Sequence, residues 1–416
     1  MLPTVQTAGS IRQLADARGV RECLAFFTRE RIWIQEQHAA VCRVPAPTFL
    51  EQKRAEWMAG EFRALGCAAE IDRAGNVVAW PRADAGEPLI AVTAHLDTVL
   101  APRNREEIVV EPDGTLRGPG VADNGAGLAA LFALARALRT APAIEETAAA
   151  VVLVANVGEE GEGNLSGMRY LARQSPLAPR IAAYLVLDGP ALDHITTEAL
   201  SSRRFEVLFT GPGGHSWSDR GTPNPIHALS HAIAWFTDEF PVVAGSAWPR
   251  SSFNFGTVEG GSTVNSIPPL ARAKVDLRSE AGAAIDAMVK ALASAVERAV
   301  EQESQRSPGG KLQAKLRELG SRPAGRLAEN ASILEFLRAV DAYLGIGARL
   351  DCASTDANIP LSLGLPALSI GAGGTGGGAH TPGEWFDPEG RDLGLKRILL
   401  TLALLMKNPP HRTMLS

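Results

Sequence analysis

Five potential metal ligands are spread along the sequence as separate residues: His95, Asp123, Glu160, Asp188 and His380. Imidazole nitrogen and carboxylate oxygen are ligands that zinc takes in catalytic sites, which keep one position for water. A carboxylate can join two ions, and we expect Asp123 to be that bridge. Two ions about 3.5–4 Å apart lower the pKa of a shared water and hold the scissile oxygen, so these residues predict a two-metal hydrolytic centre.

Two further carboxylates stand beside the predicted ligands. Glu159 directly precedes Glu160, and we expect it to take the proton of the attacking water as a general base. Asp97 lies two residues after His95, and its carboxylate is expected to hydrogen-bond the second imidazole nitrogen and fix the tautomer. Glu159 and Asp97 are therefore predicted to be catalytic.

Each residue also has an ordinary structural explanation when it is taken alone. His95 and Asp97 could form a local hydrogen bond at a strand end, and Asp123 could be a turn residue or a helix cap. The acidic pair at 159–160 could be a solvated loop, and Asp188 could begin a turn. The joint pattern favours one common site, because each residue follows an apolar strand or opens a helix.

The elements that must position these residues are apolar strands that alternate with helices. This alternation predicts an α/β fold, a mostly parallel mixed sheet sandwiched by helices. Ligands of such sheets bind beyond the carboxyl ends of the strands, so the four strand ends are expected to share one rim. The strands concerned are Pro88–Thr93 before His95, Ala148–Ala155 before Glu159, Ile181–Leu187 before Asp188 and Pro366–Ile370 before the loop with His380.

Further elements complete this predicted domain. A helix is expected over Phe49–Leu65, with a capping box of Thr48 and Glu51 at its start and Gly66 at its end. Apolar periodicity and composition predict the remaining segments. These are a short strand Asn76–Trp80, a hairpin-like stretch Ile108–Leu116, a helix Gly127–Leu138 and a helix that includes Leu171.

The pattern changes between Asp188 and Pro366. The order there is β-α-β-β-α-β, which predicts an inserted ferredoxin-like α+β domain. We therefore divide the chain into residues 1–200, an inserted domain at 201–320 and residues 321–416. The inserted elements are Arg204–Thr210, helix Pro225–Phe236, strands Phe253–Val258 and Ala271–Leu277, helix Ala284–Gln302 and strand Lys311–Leu319.

Length and composition exclude several classes of protein. A chain of 416 residues suggests two domains, and a net charge of -5 with no long Lys/Arg cluster argues against nucleic acid. No run reaches the roughly 18 apolar residues of a membrane helix, and Met1–Val20 lacks the apolar stretch of a signal peptide. The four cysteines form no CxxC pair, which predicts reduced, mostly buried thiols in a cytoplasmic protein.

The segments around the candidate ligands resemble the family of peptidase T, glutamate carboxypeptidase, carnosinase, aminoacylase and acetylornithine deacetylase. The resemblance covers roughly residues 45–405 and is closest to the peptidase T-like branch, because position 188 is Asp rather than Glu. It implies a zinc exopeptidase-like fold with two divalent ions, Zn²⁺ first and Mn²⁺ or Co²⁺ as alternatives. The matching segments are His95-Leu96-Asp97, Gly120-Val121-Ala122-Asp123-Asn124, Gly158-Glu159-Glu160-Gly161, Asp188 and His380.

The resemblance also distributes the ligands between the two ions. His95 and Asp188 would hold one ion, Glu160 and His380 would hold the other, and Asp123 would be shared. Positions 159 and 97 match the family's general base and its orienting carboxylate. One departure is the Asn-Gly that follows Asp123, where many relatives have other residues.

The inserted domain carries three further residues that match the family. His215, after a Gly-rich turn, matches a histidine that steadies the oxyanion in the partner subunit's site, although a plain surface histidine is the alternative. Asn265 matches an asparagine of the substrate pocket. Arg278 matches an arginine that binds a substrate carboxylate in a bidentate contact; the alternative is a strand-end pair with Asp276. The resemblance implies a homodimer formed through this domain.

Three features near the carboxyl end bear on the site. Thr355 and Asp356 resemble part of the family's substrate loop and are candidate substrate-binding residues. Glu384 follows His380 closely and is a candidate support for the metal ligands. The loop Gly371–Gly378 could be a phosphate cradle, but it lacks the GK[ST] ending of a P-loop.

Together these features predict a di-zinc exopeptidase, or an N-acyl-amino-acid hydrolase, that uses a metal-bound water and a glutamate base. One alternative is the chemistry of single-domain di-zinc aminopeptidases, which Asp-Asn-Gly at 123–125 also resembles. The insertion of roughly 120 residues favours the first reading. A second alternative is a binding protein that retains the fold without catalysis, and the presence of all five ligands argues against it.

Overall fold

The computed structural model describes residues 5–82, 88–240 and 249–410, with side chains from residue 11 onward. The chain divides into two compact units. The split unit consists of Met1–Ala199 and Gly325–Ser416, and the inserted unit consists of Leu200–Ala324. Each unit has a hydrophobic core of its own.

A nine-stranded mixed sheet forms the centre of the split unit. Its strands are β1 (Ala68–Ile71), β2 (Val77–Trp80), β3 (Leu89–His95), β6 (Ala150–Asn156), β7 (Ile181–Leu187), β8 (His194–Ala199), β15 (Gly325–Arg326), β16 (Arg349–Ala353) and β17 (Ala367–Ile370). The order is β1-β2-β6-β3-β7-β17-β8-β15, and β16 pairs with β8.

Parallel pairing is concentrated at the middle of this sheet. Strands β6, β3, β7 and β17 are parallel neighbours, whereas β1, β2 and β15 pair antiparallel. Strands β3 and β7 are buried at every position, as expected for apolar strands covered on both faces. The predicted mixed α/β sheet is therefore confirmed, with antiparallel strands added at its sides.

Of the described helices of the split unit, six have no counterpart among the predicted elements: α1, α2, α3, α9, α10 and α11. In α2, Val20, Cys23, Phe26 and Phe27 are nevertheless buried at the spacing of one helix face. The helices are α1 (Val5–Asp16), α2 (Arg18–Arg29), α3 (Arg31–Cys42), α4 (Gln52–Ala64), α5 (Gly125–Thr140), α6 (Ser166–Arg173), α9 (Ser332–Leu344), α10 (Asn358–Ser362) and α11 (Arg391–Lys407).

The predicted capping box at the start of α4 is wrong. Helix α4 begins at Gln52, and its N-cap residue Glu51 makes no side-chain cap. Instead, Thr48 Oγ1 donates to Asp97 Oδ2 at 2.9 Å, and Glu51 Oε1 accepts from the N–H of Gly158 at 3.1 Å. Both side chains bind loops at the carboxyl edge of the sheet, because buried polar groups there need partners.

A small second sheet links two loops of the split unit. Its order is β18-β19-β5-β4, so the segment after His380 is paired with the segment before Asp123. The predicted hairpin at 108–116 corresponds to β4 and β5. The strands are β4 (Val109–Val110), β5 (Leu116–Arg117), β18 (Thr375–Gly377) and β19 (Trp385–Asp387).

Apart from two short strands that form a separate pair, the inserted unit has the predicted β-α-β-β-α-β order. Its elements are β9 (Ser201–Thr210), β10 (Gly214–His215), α7 (Pro225–Glu239), β11 (Ser251–Gly260), β12 (Ser266–Ile267), β13 (Leu270–Ser279), α8 (Gly282–Arg306) and β14 (Gln313–Arg322). The antiparallel sheet runs β11-β13-β9-β14, and β10 pairs with β12 in a separate two-stranded sheet. Phe205, Val207 and Phe209 alternate along β9 and share a core with residues of α7 and α8, because side chains two apart lie on one face of a strand.

Two predictions from composition can be compared with the fold. Among the described helices, none combines the length and the hydropathy that crossing a bilayer requires. Cys23, Cys42 and Cys67 are buried, Cys352 is partly exposed, and all four are free thiols. Three of the four cysteines are thus buried, which agrees with the predicted mostly buried thiols.

Candidate metal centre

The candidate ligands of the split unit follow the carboxyl ends of its central parallel strands. His95 is the last residue of β3, and it lies beside Asn156, the last residue of β6. Asp188 directly follows β7, and His380 lies between the short strands β18 and β19, in the segment that follows β17. The predicted convergence on one edge of the sheet is what the fold produces.

Asp123 lies between the two histidines. Its Oδ1 is 2.9 Å from His95 Nε2, and its Oδ2 is 3.1 Å from His380 Nε2. His380 Nε2 is also 2.9 Å from Glu160 Oε1. Ligand atoms of His95, Asp123 and Glu160 lie within 4.8 Å of one another, and Asp188 Oδ1 is 3.9 Å from His95 Nε2. The two oxygens of one carboxylate therefore point toward two different imidazoles.

The electrostatics of this cluster depend on shared protons. The contact with Asp123 raises the pKa of His380 to about 9. Burial, and then the negative charge of Glu159, raises the pKa of Glu160 to about 8. Burial alone would raise the pKa of Asp123, but hydrogen bonds with His380 and His95 hold it below its usual range. Imidazole nitrogens and carboxylate oxygens that share protons at such short distances are also suited to bind a divalent cation, which displaces those protons when it binds.

His380 has an uncommon backbone conformation. Its φ is 64°, in the left-handed region that few residues other than glycine adopt. The glycines before it allow close packing: a Cβ on Gly371 would lie 1.9 Å from the carbonyl oxygen of Ala191. The glycines of this loop therefore allow the backbone to pass close to neighbouring main chain before it reaches His380.

Asp97 orients His95 through its main chain. The Nδ1 of His95 donates to the backbone oxygen of Asp97 at 2.9 Å, whereas the nearest carboxylate oxygen of Asp97 is 3.6 Å away. This bond leaves Nε2 facing the cluster. The carboxylate instead accepts the N–H groups of Glu159 and Glu160, each at 2.9 Å. The same carboxylate also lies beside the imidazole, with 3.6 Å between Oδ1 and Nδ1, and its role in orienting the ring stays a prediction.

The turn that carries Glu159 and Glu160 is held by Thr48 and Glu51, which the sequence pattern assigned to a helix cap. Thr48 reaches it through Asp97, and Glu51 bonds the N–H of Gly158. The sequence signal was present as Thr-x-x-Glu before a helix, but that spacing also fits a local cap. Only the tertiary contacts distinguish the two uses.

Two further side chains fix the segment around Asp123. The carboxylate of Glu384 accepts the N–H groups of Gly120, Ala122 and Asp123 at 2.7–2.8 Å. Asn124 caps helix α5 by accepting from the N–H of Gly127 at 3.1 Å, and it donates to the Leu187 carbonyl at 2.8 Å. The helix cap is thus Asn124, which leaves the carboxylate of Asp123 to the histidines. The Asp123–Asn124 peptide bond is cis.

The candidate substrate residues Thr355 and Asp356 are both buried. Thr355 Oγ1 accepts from the N–H of Ala357 at 3.2 Å. Asp356 is bonded to the side-chain amide of Asn156. Burial, and then the charge of Glu159, raises the pKa of Asp356 to about 8. These side chains bind the ends of β6 and α10, and a role in substrate binding stays a prediction.

The candidate residues of the inserted unit lie at two ends of its sheet. His215 and Asn265 are neighbours, because β10 pairs with β12 and the N–H of Ser216 donates to the Asn265 carbonyl at 3.0 Å. Arg278 pairs in register with Ser202, at the other end of β13. The eight residue steps from Leu270 to Arg278 span about 27 Å of strand.

The side chains of these residues have different partners. His215 is exposed, and its Nδ1 accepts from the N–H of Trp217 at 3.2 Å, so that Nε2 is the nitrogen left to donate. Arg278 Nε donates to Asp276 Oδ2 at 2.6 Å, and Arg204 Nε contacts the other oxygen at 3.2 Å. The strand-end pair with Asp276 is therefore present.

Comparison with known proteins gives this arrangement a context. The sequence profile of Peptidase family M20/M25/M40 matches residues 91–404, which is most of the chain and includes every candidate metal ligand. The chain belongs to this family. Helices α1–α4, with Thr48 and Glu51, precede the matched part of this M20 chain.

Similar proteins carry several activities in their names. A probable carboxypeptidase of Aspergillus clavatus is 32% identical over 232 residues, 51% of this chain and 49% of that protein. A succinyl-diaminopimelate desuccinylase of Xanthomonas oryzae pv. oryzae is 27% identical over 234 residues, 51% of this chain and 58% of that protein. The M20 chain spans about half the length of these curated relatives.

The fold also matches solved structures. A tripeptidase from Staphylococcus aureus superposes with a TM-score of 0.72 at 19% identity, over 90% of this chain and 98% of that one. At this identity the match establishes the fold, a mixed α/β architecture that M20 peptidases share. The substrate is a separate question.

Proposed function

We propose that this chain is a metal-dependent hydrolase that cleaves an amide bond of small peptides or N-acyl amino acids. The observation that supports it best is the geometry of Asp123, whose two oxygens contact two different histidines at the sheet edge. A carboxylate in that position is suited to bridging two cations. Membership of the M20 family, with a carboxypeptidase and a desuccinylase among the relatives, supports the same reaction class.

In this proposal, His95 and Asp188 would hold one ion, Glu160 and His380 would hold the other, and Asp123 would be shared. The donor set of imidazole nitrogen and carboxylate oxygen fits Zn²⁺ best, with Mn²⁺ and Co²⁺ as alternatives. When bound, two such ions supply an activated water and polarise the scissile carbonyl.

The chain's own residues divide the remaining work. Glu159 is buried at the cluster edge and takes the proton of the attacking water, then delivers it to the leaving nitrogen. Asp97 is a positioning residue: its carbonyl orients His95, and its carboxylate holds the backbone of Glu159 and Glu160. Catalysis by Glu159 depends on that fixed backbone, because proton transfer needs hydrogen-bond reach.

A second copy of the chain is part of the proposal. Trp217 lies beside His215, and Val264 lies beside Asn265. Their side chains are 80% and 105% exposed in the single chain, and exposed apolar side chains of this kind are typical of a surface that another molecule covers. We propose that a homodimer brings His215 Nε2 and Asn265 to the partner's site, where His215 stabilises the oxyanion.

The free thiols fit a reducing, cytoplasmic compartment.

Arg278 is proposed to bind a substrate carboxylate. Asp276 holds its Nε at 2.6 Å, and two nitrogens of the guanidinium remain for a ligand. A free carboxyl group next to the scissile bond is therefore the expected substrate feature, as in a C-terminal peptide or an N-acyl amino acid.

A substrate screen tests the proposal. Metal-stripped protein is reloaded with Zn²⁺, Mn²⁺ or Co²⁺ and incubated with di- and tripeptides and with N-acyl amino acids, and the products are read by mass spectrometry. Metal-dependent release of an amino acid is expected from one of the two panels. Retention of metal with no hydrolysis in either panel would favour a non-catalytic binding protein.

A further inference from the structure

The segment Gly118–Asp123, here called the bridge loop, carries Asp123 into the cluster between His95 and His380. Its backbone groups are bonded by side chains from two distant parts of the sequence. One is Glu384, in the loop after His380, and the other is His38, in helix α3.

Glu384 binds the N–H groups of the bridge loop. Its side chain is 3% exposed, Oε2 accepts from Gly120 at 2.7 Å, and Oε1 accepts from Ala122 and Asp123 at 2.8 Å. The main-chain carbonyl of Glu384 also accepts from the N–H of Gly118 at 2.9 Å. An ionised carboxylate is an acceptor on both oxygens, so it matches three N–H groups as an amide cannot.

His38 binds a carbonyl group of the same loop. Its Nε2 is 2.6 Å from the Val121 oxygen, and its Nδ1 is 2.9 Å from Arg391 Nη2. Arginine only donates, so Nδ1 accepts and the ring proton lies on Nε2, which donates to Val121. Burial, and then the charge of Arg391, hold the pKa of His38 well below its usual value, so the ring is neutral.

Close packing fixes the position of His38. The ring of Phe386 lies 4.6 Å from the His38 ring and 4.5 Å from the Arg391 guanidinium carbon. A Cβ on Gly125, the first residue of α5, would lie 2.8 Å from His38 Nε2 and 2.4 Å from Cys42 Sγ. The close approach of α3 therefore requires glycine at position 125. Helix α3 therefore has little freedom to shift against the start of α5.

We propose that His38 and Glu384 are positioning residues that hold the bridge loop by its carbonyl and by its N–H groups, and so aim the two oxygens of Asp123. The inference rests on the proposed metal site. It extends the metal centre to α3, which precedes the part of the chain that matches the M20 profile.

The test is Co²⁺ binding to metal-stripped protein, measured by calorimetry and by the visible spectrum of the bound ion. His38→Leu removes both hydrogen bonds, and Glu384→Gln turns one acceptor into a donor that faces an N–H. Each is expected to weaken binding roughly 10- to 100-fold and to change the spectrum, as losses of outer partners do at metal sites. In the Co²⁺ enzyme, kcat should fall and KM should change little.

The variants have matched controls. His38→Gln keeps a donor for Val121 and an acceptor for Arg391, so it should bind Co²⁺ close to wild type. His227→Leu removes another histidine that contacts an arginine, and Glu303→Gln changes another buried carboxylate that accepts a backbone N–H. Both lie in the inserted unit, and both should leave the Co²⁺ spectrum and affinity unchanged.

The outcomes separate this inference from the proposed function. Wild-type affinity and spectrum in both His38→Leu and Glu384→Gln would overturn the inference and leave the metal site standing. Wild-type protein that binds no Co²⁺ would overturn the proposed function and the inference with it. If His38→Leu fails to fold, Glu384→Gln, a change of one oxygen to an NH₂ group, decides the question.

Discussion

The metal edge of the split unit and the His215 end of the inserted unit hold their candidate residues in opposite ways. At the metal edge, His95 is 2% exposed, and its ring nitrogens contact Asp97 and Asp123. His215 is exposed, and its Nε2 is directed to no partner among the described side chains. Burying polar groups is costly unless they are paired, so the first region has to be complete within one chain. Exposed residues face no such demand, and the second region is free to be completed by another molecule.

The largest effect is expected from Glu159→Ala at the metal edge. Loss of the general base should lower kcat by roughly 100- to 10,000-fold, while the metal ligands remain. Steady-state kinetics and metal content by mass spectrometry measure the two properties. Glu162→Ala, an exposed carboxylate near the same turn, is the control and should keep its activity. Unchanged hydrolysis by Glu159→Ala would exclude the mechanism.

The next effect concerns His215. His215→Ala should lower kcat by roughly 100-fold through loss of an oxyanion donor, with metal content unchanged. If His215 acts on a second copy, an equal mixture of His215→Ala and Glu159→Ala chains that exchange subunits should recover about a quarter of wild-type activity, because half the dimers contain one complete site. His231→Ala is the control. A fully active monomer, or no recovery on mixing, argues that His215 does not act in trans.

A smaller effect is expected at the other end of the inserted sheet. Arg278→Ala should raise KM by roughly 10- to 100-fold for substrates with a free carboxylate and hardly at all for amidated ones, since a charged hydrogen bond is lost. Arg204→Ala removes the other arginine on Asp276 and should not discriminate between the two substrate sets. Equal effects of Arg278→Ala on both sets would remove this assignment.

The smallest effect is a pH dependence of stability in metal-free protein. The pKa of His380 is raised from 6.5 to about 9, so its contribution is complete below 6.5 and is lost by about 9. The pKa of Glu160 is raised from 4.5 to about 8, so the folded state binds the extra proton between those values and stability falls there too. Thermal unfolding should therefore show Tm decreasing from pH 6.5 to 9.

Two comparisons test that slope. Bound Zn²⁺ should flatten it, because the ligands have already released their protons. His380→Ala should reduce it, whereas His215→Ala should leave it as in the wild type. A Tm that is constant or increases over this range in metal-free protein would contradict the assignment of the shared protons.

Local pattern determined much of this protein. Apolar runs such as β7 predicted the buried strands, and the residue after each run gave the candidate ligands, because a parallel strand ends where its neighbours end. The alternation of the inserted unit likewise predicted its β-α-β-β-α-β order. Both patterns involve residues that are close together in sequence, so a single amino-acid sequence is enough to recognise them.

Only the tertiary structure decided which partner each polar group takes. Thr48 and Glu51 have the spacing of a helix cap, yet they bind Asp97 and Gly158. The carboxylate of Asp97 binds backbone N–H groups of the loop at 159–160 as well as facing His95, and His38 reaches Val121 across 83 residues. Sequence spacing fixes which groups are neighbours along the chain. The demand that every buried donor and acceptor be paired is met across the fold, and it selects among the partners that packing brings together.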